Sequence, residues 1–148
     1  MAQGDGAIYN TFKELVMEGT YNLATAGDVI KTILVGAYTP DIDTHLDYGD
    51  VSGTEYATGD GYTELGETLA AQDVTVDTGN DRGVFDGTDE TWASLGPLTP
   101  THPSCAIMYD SDASVDGPLI AYWEVSGTAP NGGDYTLQWG TNGIILLT

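Results

Sequence analysis

Few side chains here can do chemistry: two histidines, one cysteine, and 23 acids against 3 bases. His45 stands in Asp41-Ile42-Asp43-Thr44-His45-Leu46-Asp47, so Asp43, His45 and Asp47 share one side of an extended segment. A carboxylate, imidazole, carboxylate set of that kind suits a small divalent-metal site. The same residues fit a polar loop in which acids surround a locally hydrogen-bonded histidine, and that is the simpler expectation. His102, in Pro100-Thr101-His102-Pro103, reads as a rigid turn residue. The run Asp110-Ser111-Asp112-Ala113-Ser114-Val115-Asp116-Gly117 alternates oxygen side chains like the opening of a calcium loop. Val115 stands where that loop needs glycine for its turn, and Ala121 where it needs a bidentate glutamate. An EF-hand is therefore excluded. A hairpin turn explains the pattern through ordinary turn chemistry, with a weak calcium site at Asp110, Asp112 and Asp116 as the alternative.

Nucleophilic and phosphate chemistry have no foothold in the pattern. There is no Gly-Xaa-Ser-Xaa-Gly elbow, no His-Glu-Xaa-Xaa-His, and no phosphate-binding glycine loop followed by lysine. Cys105 lies in the apolar run Ser104 to Tyr109, where a buried, inert thiol is expected and no disulfide can form within the chain. The expectation is a protein that is not an enzyme and holds no cofactor and no resident metal.

The charge balance narrows the partners. A net charge of −20 leaves no basic stripe to neutralise phosphates, which excludes nucleic acid as a backbone-bound partner and disfavours an anionic membrane surface. The charge is spread along the chain, with −6 in residues 1–50, −9 in 51–100 and −5 in 101–148, and so describes an acidic surface and not an acidic tail. The N-terminal residues show no basic region followed by an apolar one, so no signal peptide is expected, and no apolar run approaches the length of a membrane span.

The elements that must position these residues are mostly strands. With 20 Gly, 20 Thr and 16 Asp, the composition favours strands joined by turns. One segment has helical spacing: Ile8, Phe12, Leu15 and Val16 fall at i, i+4, i+7 and i+8, and Gly19 is a suitable stop, which predicts a helix over 7–18. Thereafter the period is two. Strands are expected at Asp28 to Val35, apolar on both faces, at Asp73 to Asp77, and at Ala106 to Tyr109. Leu119 to Val125, Tyr135 to Trp139 and Ile144 to Leu147 complete the set. Trp123 and Trp139 read as core. The expected fold is mainly β: one domain over 1–148, an antiparallel β-sandwich or jelly-roll-like unit (20–148) with one N-terminal α-helix (1–19). Residues 37–62 are the least strand-like and are expected to form a long loop or arm, of the kind that is usually functional or contacts a partner.

Taken in order, these segments resemble the small β-rich virion proteins of tailed bacteriophages. The resemblance is carried by Tyr9-Asn10-Thr11-Phe12-Lys13-Glu14-Leu15, then Asp28 to Val35, then Tyr38-Thr39-Pro40-Asp41-Ile42-Asp43-Thr44-His45. It continues through Val74-Thr75-Val76-Asp77, Val84-Phe85-Asp86, Thr91-Trp92, Pro118 to Tyr122, Tyr135 to Trp139 and Asn142-Gly143-Ile144. Each motif is strand and turn chemistry; the ordered set covers most of the chain.

The resemblance implies a decoration or cement protein on the capsid exterior, often a homotrimer, whose partner is the major capsid protein. Tyr9, Phe12, Tyr38, Tyr48, Tyr56 and Tyr62 are the candidate partner contacts, since tyrosine is enriched at interfaces. Deleting residues 1–18 is then expected to spare the β-domain and weaken association. Two alternatives remain: a carbohydrate-binding module displayed on the virion, with Trp92 among Asp89 and Glu90 as the glycan contact, and a tail or neck component that forms rings.

Overall fold

The computed structural model describes residues 6–98, 102–112, 117–125 and 130–148. Its strongest strands are those whose β-branched and aromatic side chains alternate or are apolar on both faces. Strand β1 (Gly6–Ile8) precedes helix α1 (Asn10–Met17), followed by β2 (Ile30–Val35), a one-turn helix α2 (Tyr48–Val51) and a 3₁₀ turn (Ser52–Thr54). Then come β3 (Glu67–Thr68), β4 (Asp73–Asp77), β5 (Arg82–Asp86), β6 (Glu90–Leu95), β7 (Cys105–Asp110), β8 (Leu119–Glu124), β9 (Gly133–Leu137) and β10 (Ile145–Leu147). They form three open antiparallel sheets, of five strands (β1-β8-β7-β2-β3), three strands (β10-β5-β4) and two strands (β6-β9). The mainly β, antiparallel architecture with an N-terminal helix is as the composition and periodicity predict.

The five-stranded sheet is covered on both faces, as the doubly apolar pattern of β2 requires. Ile30 and Leu34 of β2, with Ala106 and Met108 of β7, join Phe85, Trp92, Leu95, Tyr135, Leu137 and Ile145 from the two smaller sheets in one buried cluster. On the other face, Ile33, Val35, Cys105, Ile107, Tyr109 and Leu119 are buried with Tyr9 and Val51, and Tyr38, Ile42 and Tyr48 pack over them. Trp123 and Trp139 are core residues as expected, meeting edge-to-face with ring centroids 4.9 Å apart.

The start of the helix differs from the periodicity and changes the reading of the N-terminus. Ile8 is not on the helix. It pairs with Ala121 in β1, and the Tyr9 N–H donates to the Ile120 carbonyl (3.0 Å), so the helix begins only at Asn10. The helix itself is tied in, because Phe12 and Tyr9 are fully buried. An N-terminal segment that supplies a sheet edge and two core aromatics is not a detachable docking element. Trp92 lies in a strand, β6, that is absent from the expected set, and its inward neighbour two residues back is Glu90.

The segment 37–62 is a cover and not a free arm. The Tyr48 N–H donates to the Gly117 carbonyl (2.9 Å), Leu119 N–H to Leu46 (3.0 Å), Gly36 N–H to Thr54 (2.9 Å) and Tyr56 N–H to Leu34 (3.4 Å). Gly66 then turns the chain back along β2 with φ of +69°; a Cβ there would run into the Thr32 carbonyl, so only glycine allows the close approach.

Candidate docking face

The histidines, the cysteine and the acid clusters are each engaged locally. Tyr9 and Tyr38 share a hydroxyl–hydroxyl hydrogen bond (2.9 Å), the Tyr38 hydroxyl meets His45 Nδ1 at 2.6 Å, and the Asp41 N–H donates to the same nitrogen (3.3 Å). Asp43 accepts from Asn10 Nδ2 (2.5 Å), while the N–H groups of Leu46 and Asp47 donate to Asp50. Asp43, His45 and Asp47 thus have separate partners, and among the described residues no group of three or more His, Cys, Asp or Glu side chains converges on a metal position. Asp110 is buried and accepts the Asp112 N–H (2.9 Å), and Asp112 accepts the Val29 N–H (3.0 Å), the behaviour of a turn. Asp116 of the calcium-like run lies outside the described residues. His102 Nδ1–H donates to the Pro103 carbonyl (2.8 Å). Cys105 is buried, and burial raises its thiol pKa.

The six aromatic residues expected at a partner interface divide by burial. Tyr9, Phe12, Tyr56 and Tyr62 are inside the protein's own core and offer no surface to a partner, a correction to that expectation. Tyr38 and Tyr48 are half-buried. Tyr62 shows why such residues are core. Its hydroxyl donates to Glu55 Oε1 (2.7 Å) and accepts the Leu34 N–H (3.0 Å), while Glu55 also accepts from Tyr48 (2.5 Å) and from the Leu65 N–H (2.9 Å). A half-buried carboxylate with three donors anchors the cover segment to β2. Burial, opposed by these donors, still raises the Glu55 pKa.

Trp92, the expected glycan contact, is 1% exposed and packs edge-to-face on Tyr135. A buried indole cannot stack on a sugar, so that assignment is withdrawn. The sequence does not reveal a second feature here: Trp92 Nε1, Thr32 Oγ1 and both carboxylate oxygens of Glu90 are buried without a hydrogen-bond partner. Desolvation pushes the Glu90 pKa up to about 8; the nearby Thr32 hydroxyl lowers it and the Glu67 charge raises it. Thr32 is near enough to favour the ionised form without making a well-formed hydrogen bond.

The largest departure from a self-contained domain is on the three-stranded sheet. Register places Val74, Phe85 and Ile145 in one row and Val76, Gly83 and Leu147 in the next. The first row faces α1, where Phe12 and Val16 of the helix, with Leu23 from the segment after it, close one end of an apolar groove. The second row runs out of the fold, with Val76 76% exposed and Leu147 53%, and Val74 at the β4 end of the first row is 48% exposed. Gly83 has no side chain between Val76 and Leu147, so the floor of the groove is low there. Strand β4 is one of the two outer strands of its sheet, β10 being the other. Met17, the last residue of α1, is 83% exposed. Single exposed apolar residues are ordinary, but a contiguous row on one sheet face marks an interaction surface. The alternation of Asp73 to Asp77 predicts this strand residue for residue. It misses the face because alternation says that a strand has an apolar side, not whether anything covers it.

Comparison of the chain with protein-family models, curated proteins and solved structures returned no match. Among the described residues no helix is long and apolar enough to cross a membrane.

Proposed function

We propose that the protein is a structural component of a tailed-phage particle, a decoration protein seated by its β4–β5–β10 face on the outside of the capsid. The observation that carries this reading is that face: Val74, Val76 and Leu147 stand exposed on one side of a small sheet in a chain of net charge −20. An acidic exterior keeps particles apart from one another and from nucleic acid, while an uncharged face gives the same protein somewhere to dock. The ordered resemblance to virion proteins supplies the kind of assembly. The carbohydrate-binding alternative loses its motivating residue with the burial of Trp92.

The reading is tested on particles purified from a source that carries this gene. The protein is expected among the particle proteins by mass spectrometry, and an antibody against it is expected to label intact capsids. Its presence in the infected lysate together with its absence from particles would refute the reading; labelling confined to the tail would move it to the tail or neck.

A further inference from the structure

The exposed face has an edge and a charge pattern that together specify what it takes. Strand β4 reads Asp73-Val74-Thr75-Val76-Asp77, with the valines on the groove side and the aspartates on the other. As an outer strand it has one edge with no strand neighbour. Outer strands are ordinarily protected by lysine, proline, a bulge or a covering element. This one carries no lysine or proline, and its pairing with β5 runs from Asp73↔Asp86 to Asp77↔Arg82 without a bulge.

The charge around the face excludes a like partner. The β4–β5 hairpin holds Asp73, Asp77, Asp81 and Asp86, and Glu18 caps α1 beside it. The hairpin's one cation, Arg82, is consumed by Asp77 at 2.9 Å. Lys13 donates to Asn10 on the helix, and Lys31 lies in β2. A second copy would bring the same acidic rim within a Debye length, about 8 Å at physiological salt. Like charges directly across a strand pair destabilise it, and opposite charges support it.

We infer that β4 accepts, as an added strand, an extended segment of another protein in which apolar residues alternate with lysine or arginine. The apolar side chains cover Val74, Val76 and Leu147, the cations meet Asp73 and the acids beside it, and the backbone pairs with the open edge of β4. Strand addition of this kind takes its affinity from main-chain hydrogen bonds and its specificity from alternate side chains. The inference rests on the docking reading above and gives the partner's chemistry.

The test uses the full chain and short fluorescein-labelled peptides in about 0.15 M salt. One alternates Lys and Val, a second replaces Lys by Glu, and a third keeps Lys but replaces Val by Ser. The Lys/Val peptide is expected to bind, and each of the other two at least about tenfold more weakly. The double variant Val76→Ser, Leu147→Ser keeps every charge and is expected to lose about tenfold in affinity for the Lys/Val peptide with its melting temperature retained. Equal binding of the Lys/Ser peptide, or full binding by the double variant, would mean diffuse charge attraction and overturn the inference. A concentration-dependent dimer in sedimentation that the double variant abolishes would assign the face to a second copy and also overturn it. The two readings fail separately. Particles fully occupied by the double variant would sink the strand-addition site and leave the particle role intact; peptide binding by a protein absent from particles would do the reverse.

Discussion

The cover segment 37–62 and the β4–β5–β10 sheet treat their polar and apolar groups in opposite ways. The cover is rich in Asp, Thr and Tyr, yet its polar groups are matched internally: Tyr9, Tyr38 and His45 form one hydrogen-bonded chain, and Tyr48, Tyr62 and Leu65 converge on Glu55. The small sheet has a simpler pattern and leaves Val76 and Leu147 in water. A segment whose donors and acceptors are satisfied within the fold gains nothing by opening. A strand with an unpaired edge and an uncovered apolar side gains by being covered. The polar, loop-like region is therefore structural, and on the proposed reading the regular strand is the place for a partner.

Deleting residues 1–18 strikes hardest, because it attacks both regions. It removes β1, the buried Tyr9 and Phe12, and the tether of Asn10 to Ile42 and Asp43 of the cover. Loss of two buried aromatics costs on the order of 3–5 kcal/mol each, a large part of a typical domain's stability of about 5–15 kcal/mol. The truncated chain is expected to show no cooperative thermal transition by circular dichroism. A sharp transition near that of the full chain would mean that the N-terminus only rests on the fold.

Within the cover alone, Tyr62→Ala is expected to lower the unfolding free energy in urea by about 3–5 kcal/mol. Tyr62→Phe keeps the ring but leaves the Leu34 N–H unpaired, for a loss of about 1–3 kcal/mol. Losses under about 0.5 kcal/mol for both would place Tyr62 among ordinary surface aromatics and erase the contrast between the regions.

Glu90 sharpens the contrast, since among the described residues it is a buried acid that the fold does not satisfy. Its folded pKa of about 8 lies above the ordinary carboxyl value of 4.5, so between those limits the native state holds a proton that the unfolded chain has released. Stability therefore falls as pH rises through that window, and the penalty is complete above pH of about 8. Glu90→Gln is expected to match the parent near pH 5 and to exceed it at pH 9 by on the order of 3–5 kcal/mol. Parallel stability curves for the two proteins would show that Glu90 is hydrated or paired in solution.

The smallest effect on stability is expected from Val76→Ser with Leu147→Ser, within about 0.5 kcal/mol for each exposed site. A loss of several kcal/mol would mean that these side chains are covered in the free protein.

The same two regions show what local pattern can and cannot reveal. Strand β4 is legible to the residue because its alternation is local, and the two-sided burial of β2 follows from its unbroken apolar run. The N-terminal strand is not, because Ile8 happens to fall at helical spacing from Phe12 and only its pairing with Ala121 places it in a sheet. Strand β6 is hidden for a related reason: Glu90 and Trp92 look like a polar loop until both are found facing inward. The fate of 37–62 rests on hydrogen bonds to residues far along the chain, such as Tyr48 to Gly117, which no local period carries. Charge composition posed the question of an uncharged face without locating it, since exposure depends on which elements cover which.

Hydrogen–deuterium exchange of the full chain, with and without the Lys/Val peptide, tests the assignment of the two regions most directly. Slowed exchange confined to β4 and its neighbours in the three-stranded sheet, with no change over 37–62, is the predicted result. Slowing over 37–62 with residues 73–77 unaffected would contradict it and return the docking role to the cover.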